Sequence, residues 1–200
     1  DFTGSLVSMG ASTGLYAYTG SISNISVTGT TVTGRDYVGG IIGIMPGGTF
    51  SNLQFSGTVS GRSTVGGIIG GAISQMNFYS LLTTLSITNS WSSGTITGSG
   101  DGVGGLFGSL VGGLPTLTNR NVDNSSSQAT VSATGTTSKK IGGLAGDITS
   151  GVVQNSYAIG AVQTTSVTST NGGQGTGGFA GHVAKSTLPN CSATGPVPGE

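Results

Sequence analysis

The side chains able to do acid–base, nucleophilic or metal chemistry are few: one His, one Cys, six Asp or Glu and six Lys or Arg in 200 residues. The acids are Asp1, Asp36, Asp101, Asp123, Asp147 and Glu200, and no two are adjacent. Polysaccharide hydrolysis needs paired carboxylates, or carboxylates set beside Lys or Arg. One grouping approaches that: Arg35, Asp36, Arg62, Asp101 and Lys139 recur shortly before a repeated Gly-Gly pair. A polysaccharide-processing activity would fall to Asp101 and Arg62, but surface ion pairs that relieve like charge are the simpler reading. His182 has no acid or Cys beside it in sequence and reads as a solvated imidazole. Cys191 reads as a small buried thiol, and a single Cys excludes an internal disulfide. The string Gly98-Ser99-Gly100-Asp101-Gly102 has the composition of a calcium turn, yet it occurs once, without the tandem copies that build a calcium stack. No Gly-rich string is followed by Lys-Ser/Thr and a helical pattern, so none is a phosphate loop. The residues therefore predict no enzyme, no metal and no cofactor.

Partners are narrowed by charge. Net charge is zero and only 6% of residues are charged, which leaves no electrostatic footprint for nucleic acid. No apolar run reaches 18 residues, so no membrane-spanning helix is predicted. The chain opens at Asp1 without a signal-peptide pattern, as a processed chain or a fragment would. Gly is 40 of 200, several times the usual share, but 34% of residues are apolar and they recur in a pattern, which argues against disorder.

The elements that must position these groups are repeats. The block apolar-Gly-Gly-apolar-x-Gly begins at Val38, Val65, Val103 and Ile141, with Thr176 opening a fifth copy. A degenerate copy, Gly4-Ser5-Leu6-Val7, opens the chain. A second block alternates with the first and is anchored on Asn24, Asn52, Asn89, Asn124, Asn155 and Asn190. Two residues before each anchor stands Ile22, Phe50, Ile87, Val122, Val153 or Leu188, a column expected in the core. Five residues after it stands Gly29, Gly57, Gly94, Ala129, Gly160 or Gly195. An apolar column follows at Val59, Ile96, Val131, Val162 and Val197, with the first copy slipped by one to Val32.

Gly, Thr, Ser and Val favour strands and turns over helices. Short strands at a steady period predict an all-β, parallel β-solenoid of about five coils, three short strands per coil, occupying residues 1–200 as one domain. The three strands are the Gly-Gly-apolar block, the segment around Asn and the Thr-Val-Thr-like segment, and the crossover rule favours right-handed winding. Inward parity flips at the anchor, since the residues one and three after it (Ile25 and Val27, Leu53 and Phe55) are apolar while the residue two before it is too. Asn, which tolerates the left-handed region, therefore marks a corner, and six stacked amides would form a ladder. Inserts such as Gln75-Met76-Asn77-Phe78-Tyr79 and the stretch from Thr164 to Thr176 should leave the coils as loops.

The string Gly142-Gly143-Leu144-Ala145-Gly146 with Asn155-Ser156-Tyr157-Ala158-Ile159-Gly160-Ala161-Val162 resembles the GLUG repeat, and the resemblance covers nearly the whole chain. Ala129 departs from its Gly, and Trp91 and Gln54 from its Tyr. Such repeats occur in large secreted or surface proteins, including adhesin-like and some IgA-peptidase-type proteins, and the motif is a scaffold that implies no catalytic residues.

Three surface features remain. Asn24, Asn124 and Asn190 stand in Asn-x-Ser sequons and are candidate glycosylation sites if their amides are free. Trp91 and Tyr157 share one outward column and could stack on a glycan or a partner protein. The outward pairs Thr31/Thr33, Thr58/Ser60, Thr95/Thr97 and Thr130/Ser132 resemble the ice-binding face of solenoid antifreeze proteins, and the array stops at Ala161/Gln163 and Pro196/Pro198. The function expected first is a non-enzymatic structural segment of a secreted or cell-surface protein, an adhesin stalk or a self-assembling extracellular fibre subunit, whose ends meet further solenoid repeats or a second copy head to tail. Ice binding is the alternative, and polysaccharide processing comes after it.

Overall fold

The computed structural model describes residues 3–4, 20–73, 84–112, 120–135, 138–165 and 175–197. It is an all-β parallel solenoid with three sheets. The first sheet stacks Thr3–Gly4, Asp36–Gly39, Ser63–Gly66, Val103–Gly104, Ile141–Gly142 and Thr176–Gly177 in chain order. The second stacks Ile42–Ile44, Ile69–Ile73, Phe107–Val111, Ala145–Thr149 and Ala180–Ala184. The third carries the Asn and Thr-Val segments, from Ser21–Thr33 and Gly48–Gly61 through shorter strands to Ser192–Ala193. The coil number thus departs slightly from five, with six levels on the first sheet and five on the second among the described residues.

The strand plan differs from expectation too. The Gly-Gly block is not one strand but two, on different sheets, with a corner at its second Gly. The Asn and Thr-Val segments belong to one sheet, and in Gly48–Gly61 they are a single strand. Backbone crowding explains the glycines. In the coil at Val103, a Cβ on Gly104 would strike the carbonyl of Phe107, and one on Gly105 would strike Ser127 Oγ and the carbonyl of Gly143. The one-residue slip that carries Val32 is absorbed by a bulge between Thr28 and Thr30, with Gly29 at φ 65°, so that Val32 still pairs with Val59.

Between the sheets lies a stack of Val, Ile, Leu and Phe. Phe50, Ile87, Val122 and Val153 are fully or almost fully buried. Ile22 and Leu188, at the two ends of that column, are only half-buried, because among the described residues each has a coil on one side alone. Burying each such side chain contributes about 1.5–3 kcal/mol. The inserts centred on Gln75–Tyr79 and on 166–174, residues 5–7 of the opening copy, and Pro198 lie outside the described residues.

Candidate functional site

The corner begins with Asn. All six anchors have positive φ, from 47° at Asn124 to 58° at Asn24, the left-handed conformation that Asn accepts more readily than most residues. Asn52 Nδ2 donates to Asn24 Oδ1 at 2.9 Å, Asn124 Nδ2 to Asn89 Oδ1 at 2.6 Å and Asn190 Nδ2 to Asn155 Oδ1 at 3.0 Å. The six do not form one unbroken ladder. Asn155 Nδ2 turns to Asp123 Oδ1 at 2.9 Å, and this bond holds the Asp123 carboxyl below the usual range. At the sequons, the Asn124 and Asn190 amide nitrogens are bonded, while that of Asn24 has no partner among the described residues.

Behind the Asn column runs a second ladder that the sequence reading missed. The residue after the anchor is Ile25, Leu53, Ser90, Ser125, Ser156 or Cys191. The backbone N–H of Leu53 donates to Ser90 Oγ, that of Ser90 to Ser125 Oγ and that of Ser125 to Ser156 Oγ, each at 3.2 Å. Each hydroxyl in turn donates to the carbonyl two residues back: Thr88, Asp123 and Gln154. The three serines are almost fully buried, so each coil satisfies a backbone N–H that the corner of the coil before it would leave orphaned. Cys191 takes the same place in the last coil. It is half-buried rather than buried, and burial pushes its thiol pKa up.

The charged edge is an ion-pair cluster. Asp36 accepts Arg62 Nε at 2.8 Å, Arg62 Nη2 at 2.5 Å and Arg35 Nε at 3.1 Å. The Arg62 guanidinium, aided by Arg35, holds the Asp36 carboxyl below its usual range and is itself raised. Asp101 Oδ1 accepts the Lys139 backbone N–H at 2.8 Å, which makes Gly98–Gly102 a turn locked onto the next coil. Arg62, Ser63, Ser99, Gly100, Asp101 and Lys139 line a shallow depression here.

His182 is not the solvated imidazole expected from sequence. Its Nδ1 lies 2.8 Å from Asp147 Oδ1, and Asp147 also accepts Lys140 Nζ at 2.7 Å and Thr149 Oγ1 at 3.0 Å. The Asp147 side chain is 8% exposed. Burial pushes its pKa up, but the bonds from Lys140 and His182 outweigh burial and the carboxyl sits below its usual range. The signal was in the sequence: Gly71, Ser109, Asp147 and His182 each follow the third Gly of a block, and the register stacks them in one column. Ser109, Asp147 and His182 stand in a row with the acid in the middle. A Ser nucleophile needs the imidazole between itself and the acid, so this order supports an ionic clasp and not an acyl-transfer triad.

Trp91 and Tyr157 both flank Ser126 in the register, two coils and about 10 Å apart. Tyr157 is 42% exposed and Trp91 half-buried. Ile159, on the same outward side as Tyr157, is 45% exposed.

No family model matches the chain, so the GLUG likeness rests on the motifs alone. Among curated proteins the chain is 31% identical over 151 residues to halomucin of Haloquadratum walsbyi (strain DSM 16790 / HBSQ001), a match covering 70% of this chain and 2% of that protein. Among solved structures it is similar to a Bacteroides ovatus protein proposed to be an immunoglobulin A1 protease, with a TM-score of 0.53 and 22% identity over 84% of this chain and 61% of the other. That second likeness is one of fold: both chains are β-solenoids.

Proposed function

We propose that this chain is a structural, non-enzymatic solenoid segment of a secreted or cell-surface protein, an adhesin-like stalk or an extracellular fibre, which joins end to end with further coils. Those coils are neighbouring repeats or a second copy, head to tail. The observation that carries this reading is the edge of the last described coil. In the coil before it, the N–H groups of Gly143, Leu144, Ser150, Val153 and Asn155 donate to carbonyls of the last coil. Their counterparts Gly178, Phe179, Lys185, Leu188 and Asn190 have no acceptor among the described residues. Phe179, Leu188 and Cys191, which continue core columns, are only partly buried there. An open edge of unpaired donors around an apolar centre is a template for another coil.

The halomucin likeness supports a surface or secreted setting, since that relative is a mucin by name and this chain spans 2% of it. Trp91, Tyr157 and Ile159 are the side chains assigned to contact with a surface glycan or a host protein. The reading is tested with light scattering and negative-stain microscopy of the chain, beside a tandem fusion of two copies. Rods that lengthen with concentration, or a fusion that melts in one transition as a single rod, support it. A strictly monomeric chain together with a fusion whose halves melt independently overturns it.

A further inference from the structure

We propose that the Thr-x-Thr face of the third sheet binds ice. The parallel register stacks Thr31, Thr58, Thr95 and Thr130 in one column and Thr33, Ser60, Thr97 and Ser132 in a second. Between them the column Val32, Val59, Ile96 and Val131 points inward and is buried, which fixes the two hydroxyl columns outward. Strand rise separates the two columns by about 6.6 Å, and coil spacing separates their members by about 4.8 Å. The oxygens of an ice prism face repeat on nearly these two lengths.

Three observations separate this grid from an ordinary exposed sheet. First, none of its eight hydroxyls bonds another protein group among the described residues. Thr134 Oγ1 and Thr165 Oγ1, beside it on the sheet, are by contrast spent on the carbonyls of Gly98 and Ala133. The eight are therefore free to hold ordered water. Second, the columns flanking it on the Asn side over the first three coils, Thr28-Ser56-Ser93 and Ser26-Gln54-Trp91, are uncharged, and the cations on its other side, Arg35 and Arg62, two residues beyond Thr33 and Ser60, are paired with Asp36. A charged side chain would organise its own hydration shell and break the lattice match. Third, the bulge at Gly29 keeps Thr31 over Thr58 despite an extra residue in the first coil, so the grid survives a sequence irregularity. Six of the eight are Thr, whose methyl beside the hydroxyl adds apolar surface to the hollow between columns. The grid ends at the fifth level, where Ser132 pairs with Gln163, so one chain presents four levels and a modest effect. This surface acts independently of the end-to-end stacking above.

The test is thermal hysteresis and ice-crystal shaping by the purified chain, beside Thr95→Lys in the centre of the grid and Val111→Lys on the second sheet. Faceted crystals and measurable hysteresis with the parent and Val111→Lys, lost in Thr95→Lys, support the assignment. Where Thr95→Lys fails to fold, Thr95→Val decides, since it keeps the shape and removes the hydroxyl. Round crystals and no hysteresis with the parent, or full activity in a folded Thr95 variant, overturn it.

Discussion

His182 Nδ1 and Asp147 Oδ1 lie 2.8 Å apart on adjacent coils, and this bond clasps the last coil to the one before it. Asp147→Asn removes the charge that Lys140 and His182 share. The expected loss is about 1–3 kcal/mol, mostly from leaving Lys140 without its partner. The pH dependence follows from the depressed carboxyl. Its folded-state pKa lies below the ordinary value of 3.8, so the stabilisation is present above that value and fades as pH falls through the folded one. Hydrogen exchange of the last coil, measured from neutral pH down to acid, should show its protection falling first in the parent. In Asp147→Asn that acid step should be absent.

The buried serines make a second, independent claim. Ser125→Ala leaves the Ser90 backbone N–H unpaired in the interior of the corner and should cost about 1–3 kcal/mol by chemical denaturation. Ser93→Ala, outward on the same sheet, should change stability by less than about 0.5 kcal/mol. Equal effects at the two positions would show that the hydroxyl ladder carries no weight.

What was legible in the sequence is what the backbone itself demands. The Gly-Gly block could be aligned because no other residue fits where one coil's backbone meets the next, as at Gly105. The Asn anchors could be aligned because the left-handed corner selects a residue type. Two further left-handed columns stayed hidden. Tyr37, Thr64, Gly102 and Lys140 share one, and Ser150 and Lys185 the other. There the stacked coils impose the conformation, so the residue types vary and leave no pattern. The His182 clasp was hidden for another reason. Its partners are 35 residues apart and the inserts differ in length, so only counting from the third Gly of each block brings them together. The serine ladder stayed hidden because the position after each anchor was read as inward from Ile25 and Leu53, and sequence does not show that a backbone N–H waits there for Ser90, Ser125 and Ser156.

Crowding at the glycines can be tested by contrast. Gly105→Ala would force a Cβ into the buried Ser127 side chain and the Gly143 carbonyl, and the backbone carbonyl cannot retreat. We expect loss of the cooperative fold, or destabilisation of at least about 3 kcal/mol. Gly20→Ala meets nothing within 4 Å, and should be neutral or stabilising by up to about 1 kcal/mol through the unfolded chain. Thermal melts of the two variants should bracket the parent on opposite sides or leave Gly20→Ala level with it.

Arg120 is the one fully buried cation among the described residues. Its Nη1 donates to the Pro46 carbonyl, while Nε and Nη2 have no partner among the described residues. Burial pushes its pKa from the ordinary 12.5 down to about 10. A cation whose folded-state value lies below its unfolded one destabilises the fold at neutral pH, and that cost fades only as pH rises through about 10. Its side chain shares the inward parity of Val122, two residues on in the same strand, so an unbranched apolar side chain suits the space. Arg120→Met should therefore hold stability level or raise it by about 1–3 kcal/mol, and should flatten the rise in stability toward alkaline pH. Arg120→Glu, which would bury an unpaired carboxylate beside the Pro46 carbonyl, should unfold the central coils. A Met variant clearly less stable than the parent in urea would show that the guanidinium holds the interior together, and would overturn the reading of Arg120 as a cost.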